Sequence, residues 1–95
     1  MQKQIETTDI VLGKVLRKLR NEAKLSQEQL ALDAGLERTY ISMLELGQRT
    51  PTIKTLIKLS HALNIELSDL IKQFEDAFKE HTGENLMKIN WYPTN

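Results

Sequence analysis

Cysteine is absent from this 95-residue chain, which removes any disulfide framework or cysteine-based zinc site and suits a reducing compartment. No stretch approaches the roughly 18–20 continuous apolar residues that cross a bilayer. The start, Met1-Gln2-Lys3-Gln4-Ile5-Glu6, lacks the apolar segment of a secretion signal, so a cytoplasmic location is expected. The glycines (Gly13, Gly35, Gly47, Gly83) are scattered and form no phosphate-cradling loop. His61 and His81 lie far apart and make no zinc-binding His-Glu-x-x-His pattern. These absences leave no catalytic or metal residues to nominate and no cofactor to expect. Net charge is also missing: 13 basic residues balance 13 acidic ones. Overall neutrality argues against strong, sequence-blind binding of a polyanion, because phosphate contacts supply most of that affinity.

The balance conceals a gradient. Residues 1–24 carry six basic groups (Lys3, Lys14, Arg17, Lys18, Arg20, Lys24) against three acidic ones (Glu6, Asp9, Glu22). From residue 73 onward, two basic groups (Lys79, Lys88) face four acidic ones (Glu75, Asp76, Glu80, Glu84). A nucleic-acid partner would therefore meet the front of the chain. A chain of this size has room for one domain and buries only about two-thirds of its unfolded surface, so a second copy is expected to complete its apolar core.

What is present is helical. Residues 1–8 show no apolar period and read as a flexible leader. From Asp9, the residues Val11, Leu12, Val15, Leu16, Leu19 and Ala23 recur at spacings of three and four, with Thr8 or Asp9 as cap. Leu25-Ser26-Gln27-Glu28-Gln29-Leu30 then combines a capping box (Ser26, Gln29) with a hydrophobic staple (Leu25, Leu30), so a second helix starts at Gln27. Gly35 ends it in the left-handed conformation that glycine adopts without steric cost. A third helix runs through Glu37–Glu45 and stops at Gly47. Thr52 caps a fourth, with Ile53, Leu56, Leu59 and Leu63 inward and Asn64 closing it. A fifth starts near Glu66 and carries Leu67, Leu70, Ile71, Phe74 and Phe78. Strand-like alternation occurs only in Met87–Tyr92. The fold class expected is all-α: a compact five-helix bundle with a C-terminal extension.

Residues 27–46 hold two short helices joined by a tight turn. Two such helices meeting at a steep angle need a small side chain where they touch and a permissive residue at the bend, which Ala31 and Gly35 supply. Leu30, Ala34, Leu36, Ile41 and Leu44 would form the wedge of core between them.

These residues resemble the Cro and lambda-repressor type of helix-turn-helix protein, the XRE family. Leu25-Ser26-Gln27-Glu28-Gln29-Leu30-Ala31, Gly35-Leu36, Ile41-Ser42 and Leu44-Glu45 carry the likeness, which spans roughly residues 10–72. Within that family, Glu37–Ser42 is most similar to the recognition helix of controller proteins from restriction–modification systems. The resemblance implies a homodimer that binds double-stranded DNA at a palindromic operator and regulates transcription. The third helix would enter the major groove while the second crosses the backbone. Arg38 has a planar fork able to bond guanine O6 and N7 together. Thr39 suits a phosphate, a base edge or a thymine methyl. Met43 either touches a thymine methyl or stops short of the bases. Gln27, at a helix start, can donate to a phosphate. Tyr40, Ser42, Gln48 and Arg49 are further candidates for backbone contact. Glu45 is expected to be structural.

Two positions depart from the family pattern. Glu37 stands where a Ser, Thr or Asp usually caps the third helix, and Leu46 stands where relatives commonly carry Arg, Asn or Lys. The second change leaves an apolar group beside the DNA-facing loop.

The organisation expected is a leader (1–8), a DNA-binding domain (9–72) and a helical extension with tail (73–95). Phe74 and Phe78 prolong the fifth helix's apolar stripe, and the resemblance implies that this helix pairs across a two-fold axis; folding back onto the bundle is the alternative. Trp91 and Tyr92 leave the segment Met87–Tyr92 either docked or disordered. An alternative function is a protein-interaction module, an antitoxin or a polymerase-contacting adaptor, with a protein partner held by the acidic, aromatic tail. No membrane role is expected.

Overall fold

Local start and stop signals account for most of the helix ends. The computed structural model describes the backbone of residues 2–89 and side chains from residue 7 to 89. The helices are α1 (Gln2–Glu22), α2 (Gln27–Ala34), α3 (Arg38–Glu45), α4 (Ile53–Ala62) and α5 (Leu67–Thr82), followed by a short 3-10 turn at Leu86–Lys88. Among the described residues there is no strand. The Ser26 hydroxyl accepts from the Gln29 N–H at 3.0 Å, the cap expected of α2. The other half of the capping box does not form, because the Gln29 amide donates to Asp33 one turn on. Gly35 closes α2 at φ 68°, and its neighbour Leu36 donates its N–H to the Ala31 carbonyl. Thr52 caps α4 through the Thr55 N–H, and Asn64 follows α4 with φ 57°. Glu37 precedes α3 without a side-chain capping bond.

One contiguous core runs through all five helices, from Leu12, Leu16 and Leu19 of α1 through Leu30, Ile41 and Leu59 to Leu70 of α5. α1 packs on α3 and α5, α2 on α3 and α4, and α4 on α5. Gly13 sets the α1–α3 distance. A Cβ there would stand 2.5 Å from the Leu44 carbonyl oxygen and 2.6 Å from that of Glu45.

Several expectations are corrected. α1 begins at Gln2, so the supposed leader of residues 1–8 is helical from its second residue, and neither Thr8 nor Asp9 is a cap. Asp9 instead accepts the Thr50 hydroxyl at 2.8 Å and fastens the α3–α4 loop to α1. Ala23 lies beyond the helix end and is exposed. Ile53 points outward, 62% exposed, because α4 turns only its Leu56–Leu59–Leu63 stripe to the core. The boundary drawn at residue 73 falls inside α5, which is one continuous helix.

The largest correction concerns Phe74 and Phe78. Phe78 is 0% exposed in the single chain, and Phe74 is half-buried against the core, their ring centroids 5.9 Å apart. α5 packs along α1, which gives this stripe a surface within its own chain. The Phe78 ring is thereby closed to a second subunit, while Phe74 keeps part of its ring at the surface. The start of the Met87–Tyr92 segment is a 3-10 turn against α5 rather than a strand, and Asn90, Trp91 and Tyr92 lie outside the described residues.

Candidate nucleic-acid interface

α3 is eight residues long and presents two chemically different sides. Ile41 and Leu44 are buried against α1, α2 and the rest of the core, which fixes the helix's rotation. The opposite side carries Arg38 and Thr39, both exposed, then Ser42 and Met43, both half-buried. Arg38 makes no ion pair with any described residue, neither with Glu37 nor with Glu45. Its guanidinium, with five donors in a rigid fork, stands free at the start of the helix. The helix is held across α2 by the Gly35 elbow, and buried apolar residues on both arms make that elbow rigid.

Tyr40 and Arg49 are brought together. The Tyr40 ring packs against the core, and the Arg49 guanidinium carbon lies 5.8 Å from the ring centroid, within cation–π range. Arg49 itself is exposed, as is Gln48 beside it, in the loop that Asp9 and Thr50 tie down. Gly47 turns that loop at φ 74°, and a Cβ there would stand 2.9 Å from the Ile10 Cα.

Gln27 is not a free surface amide. Its Nε2 donates to Glu45 Oε1 at 3.0 Å, and the same carboxylate accepts Arg20 Nε at 2.6 Å and Arg20 Nη2 at 3.0 Å. A further Arg20 nitrogen, Nη1, donates to the Leu25 carbonyl. α1, the α1–α2 turn, the start of α2 and the end of α3 thus meet at one buried carboxylate. The hydrogen bond to Glu45 is the main cause raising the Arg20 pKa, against the burial that lowers it. The amide nitrogen of Gln27 has two N–H groups, so one remains for an outside acceptor while the other fixes its direction.

Arg20 escaped the sequence reading, which counted it only as one of the basic groups of residues 1–24. A signal was available: Arg20 lies four residues after Leu16 and seven after Gly13, on the inner side of α1. Glu45 lies four after Ile41 on the inner side of α3. Two opposite charges each on an inward face, in different helices, point to a buried pair.

A short helix locked across another by a glycine-ended elbow, with its first polar residues outward, defines a helix-turn-helix protein. Comparison with known proteins agrees. The family model described as helix-turn-helix matches residues 16–70. The chain is 46% identical over 61 residues to the control protein C.SmaI of Serratia marcescens, covering 64% of this chain and 73% of that one. It is 43% identical over 67 residues to the control protein C.MunI of a Mycoplasma species, covering 70% and 90%. Among solved structures, the restriction-modification controller protein C.AhdI from Aeromonas hydrophila superposes with a TM-score of 0.63 at 43% identity, over 64% of this chain and 92% of that one. The controller C.Esp1396I, solved as a tetramer with its natural 35 base-pair operator, gives 0.70 at 30% identity, over 75% and 93%. The chain belongs to the XRE-type helix-turn-helix family of DNA-binding transcription regulators. No helix among the described residues is long and apolar enough to cross a membrane.

Proposed function

We propose that the chain binds a palindromic operator in duplex DNA as a homodimer, with α3 in the major groove and α2 across the phosphate backbone. The observation that carries this reading is the exposed, unpaired Arg38 beside Thr39 at the start of a helix whose other side is buried. Arg38 reads guanine through its fork, and Thr39 adds a hydroxyl and a methyl at the neighbouring base pair. Gln27, Ser42, Tyr40, Gln48 and Arg49 position the subunit on phosphates. The likeness to a controller solved on its operator supports the assignment.

Arg38→Ala is expected to reduce operator preference sharply while leaving the fold intact, since the residue is exposed. Loss of one bidentate base contact corresponds to about 1–3 kcal/mol of discrimination. A competition gel shift against non-operator duplex checks this, and unchanged selectivity would remove Arg38 from the base-reading role.

With Phe78 buried and Phe74 half-buried, the larger exposed apolar face is a better dimer contact. Ile53 and Ile57 stand one turn apart on α4, 62% and 51% exposed. Beside them an open groove is lined by Ile57, His61, Asn64, Ile65, Glu66 and Asp69. α4 carries Lys54, Lys58 and His61 and no acid, while Glu66 and Asp69 lie across the groove at the α5 start. A two-fold axis sets each patch against its own copy, so a basic edge meets an acidic one twice. An operator-binding dimer must present its two α3 helices about 34 Å apart, one turn of the duplex. Ile57→Glu is expected to shift the light-scattering mass to that of a monomer and to weaken operator binding at least tenfold; a wild-type mass would return these isoleucines to the ordinary surface.

A second reading, a protein-interaction module acting through the C-terminal segment, is favoured by Met87, 92% exposed just past α5.

A further inference from the structure

The outward side of α3 is not uniformly polar. Thr39, Met43 and Leu46 follow at intervals of four and three residues, and therefore line up in one stripe within a narrow arc of the helix. Leu46 prolongs the helical backbone at φ −83°, ψ −3°, and its side chain is 60% exposed. Met43 is half-buried, yet it is not among the residues packed on the hydrophobic core. A threonine methyl, a thioether and an isobutyl group thus run along the same side that carries Arg38 and Thr39 at its start. From Thr39 to Leu46 the stripe is about 10 Å long at 1.5 Å per residue. That length matches about three base-pair steps.

Base edges in the major groove offer one apolar group, the C5-methyl of thymine, which 5-methylcytosine shares. We propose that the Thr39–Met43–Leu46 stripe reads pyrimidine C5-methyl groups, next to the base pair met by Arg38. The inference rests on the major-groove placement of α3 proposed above and adds to it the chemical group that the middle and end of the helix recognise. Leu46 is the residue that distinguishes it: an exposed leucine at this place forfeits a phosphate contact and gains only where another apolar group meets it.

The test uses the full chain and a duplex obtained by selecting bound sites from a random pool. Each thymine of the selected site is replaced singly by deoxyuridine, which deletes the methyl and keeps every hydrogen-bonding group. In a parallel arm, each cytosine is replaced by 5-methylcytosine. If thymine is the source, at least one deoxyuridine per half-site weakens binding about fourfold, the loss expected for one methyl-sized group. If methylated cytosine is the source, a 5-methylcytosine strengthens binding by a similar factor and deoxyuridine has no effect. In either case the effect shrinks to near unity in the M43A/L46A variant. Should that variant bind too weakly to measure, L46A alone, which alters only an exposed side chain, is compared and should halve the effect. Modification that changes affinity nowhere, or an effect of equal size in the variants, overturns the inference while leaving the major-groove reading intact. Failure to select any duplex overturns both.

Discussion

Gly13→Ala is expected to be among the most destabilising single substitutions in this protein. Within an isolated helix the change would help, since alanine is favoured over glycine by roughly 0.5–1 kcal/mol. Here the added methyl would stand 2.5 Å from one backbone carbonyl oxygen and 2.6 Å from the next, both at the end of α3. Backbone cannot rotate away as a side chain can, so α1 and α3 must separate. Overpacking of this kind costs typically 1–3 kcal/mol and occasionally more. Separation also strains the neighbouring Arg20–Glu45 contact, so the net loss should reach about 3 kcal/mol, a large share of the roughly 5–15 kcal/mol typical of a folded domain. Urea unfolding followed by circular dichroism checks it. A variant as stable as the parent would show that the α1–α3 spacing has slack.

Glu45→Ala is expected to cost about as much, for an electrostatic reason. The carboxylate is the common acceptor for Arg20 and Gln27 and is almost entirely shielded from solvent. Without it, a guanidinium stays buried with only the Leu25 carbonyl as partner. Breaking a buried pair by removing one member typically costs about 3–5 kcal/mol, whereas replacing both members by well-packed apolar residues is often close to neutral. The double change Arg20→Met, Glu45→Leu should therefore recover most of the loss, and a double-mutant cycle on unfolding free energies isolates the coupling. Additive losses would mean that the pair is not coupled. Because Glu45 raises the pKa of Arg20 in the folded protein, the arginine's contribution is fully present below its unfolded pKa and disappears only as pH rises through the folded one. That window is strongly alkaline, so this half of the pair adds no pH dependence near neutrality. Glu45→Ala should also loosen Gln27, whose amide then has nothing to aim it.

Much of this architecture was legible because it is written locally. Ser26 and Thr52 announce helix starts within three residues of the bonds they make, and Gly35 and Asn64 take the left-handed conformations that their positions require. The helix-turn-helix elbow, confined to about twenty residues, could be read whole, and with it the outward placement of Arg38 and Thr39. What escaped was anything decided by a distant partner. An apolar period shows that a helix has a face to bury, but not what covers it: Phe78 is covered within its own chain, and Ile53 is left outside. Arg20 and Glu45 are 25 residues apart, and although each stands at an inward register of its own helix, the local sequence around one does not single out the other. Gly13 looked like one scattered glycine because its reason is the backbone of α3.

The arginine resting on Tyr40 has a kinetic and entropic corollary. A long cationic side chain in solvent samples many rotamers, and immobilising one at an interface costs about 0.5–1.5 kcal/mol. Arg49 already leans on a ring that is itself wedged against the core, in a loop tethered to the first helix. An anionic surface arriving there would find its counter-charge largely stationary, so less disorder is surrendered when the two meet.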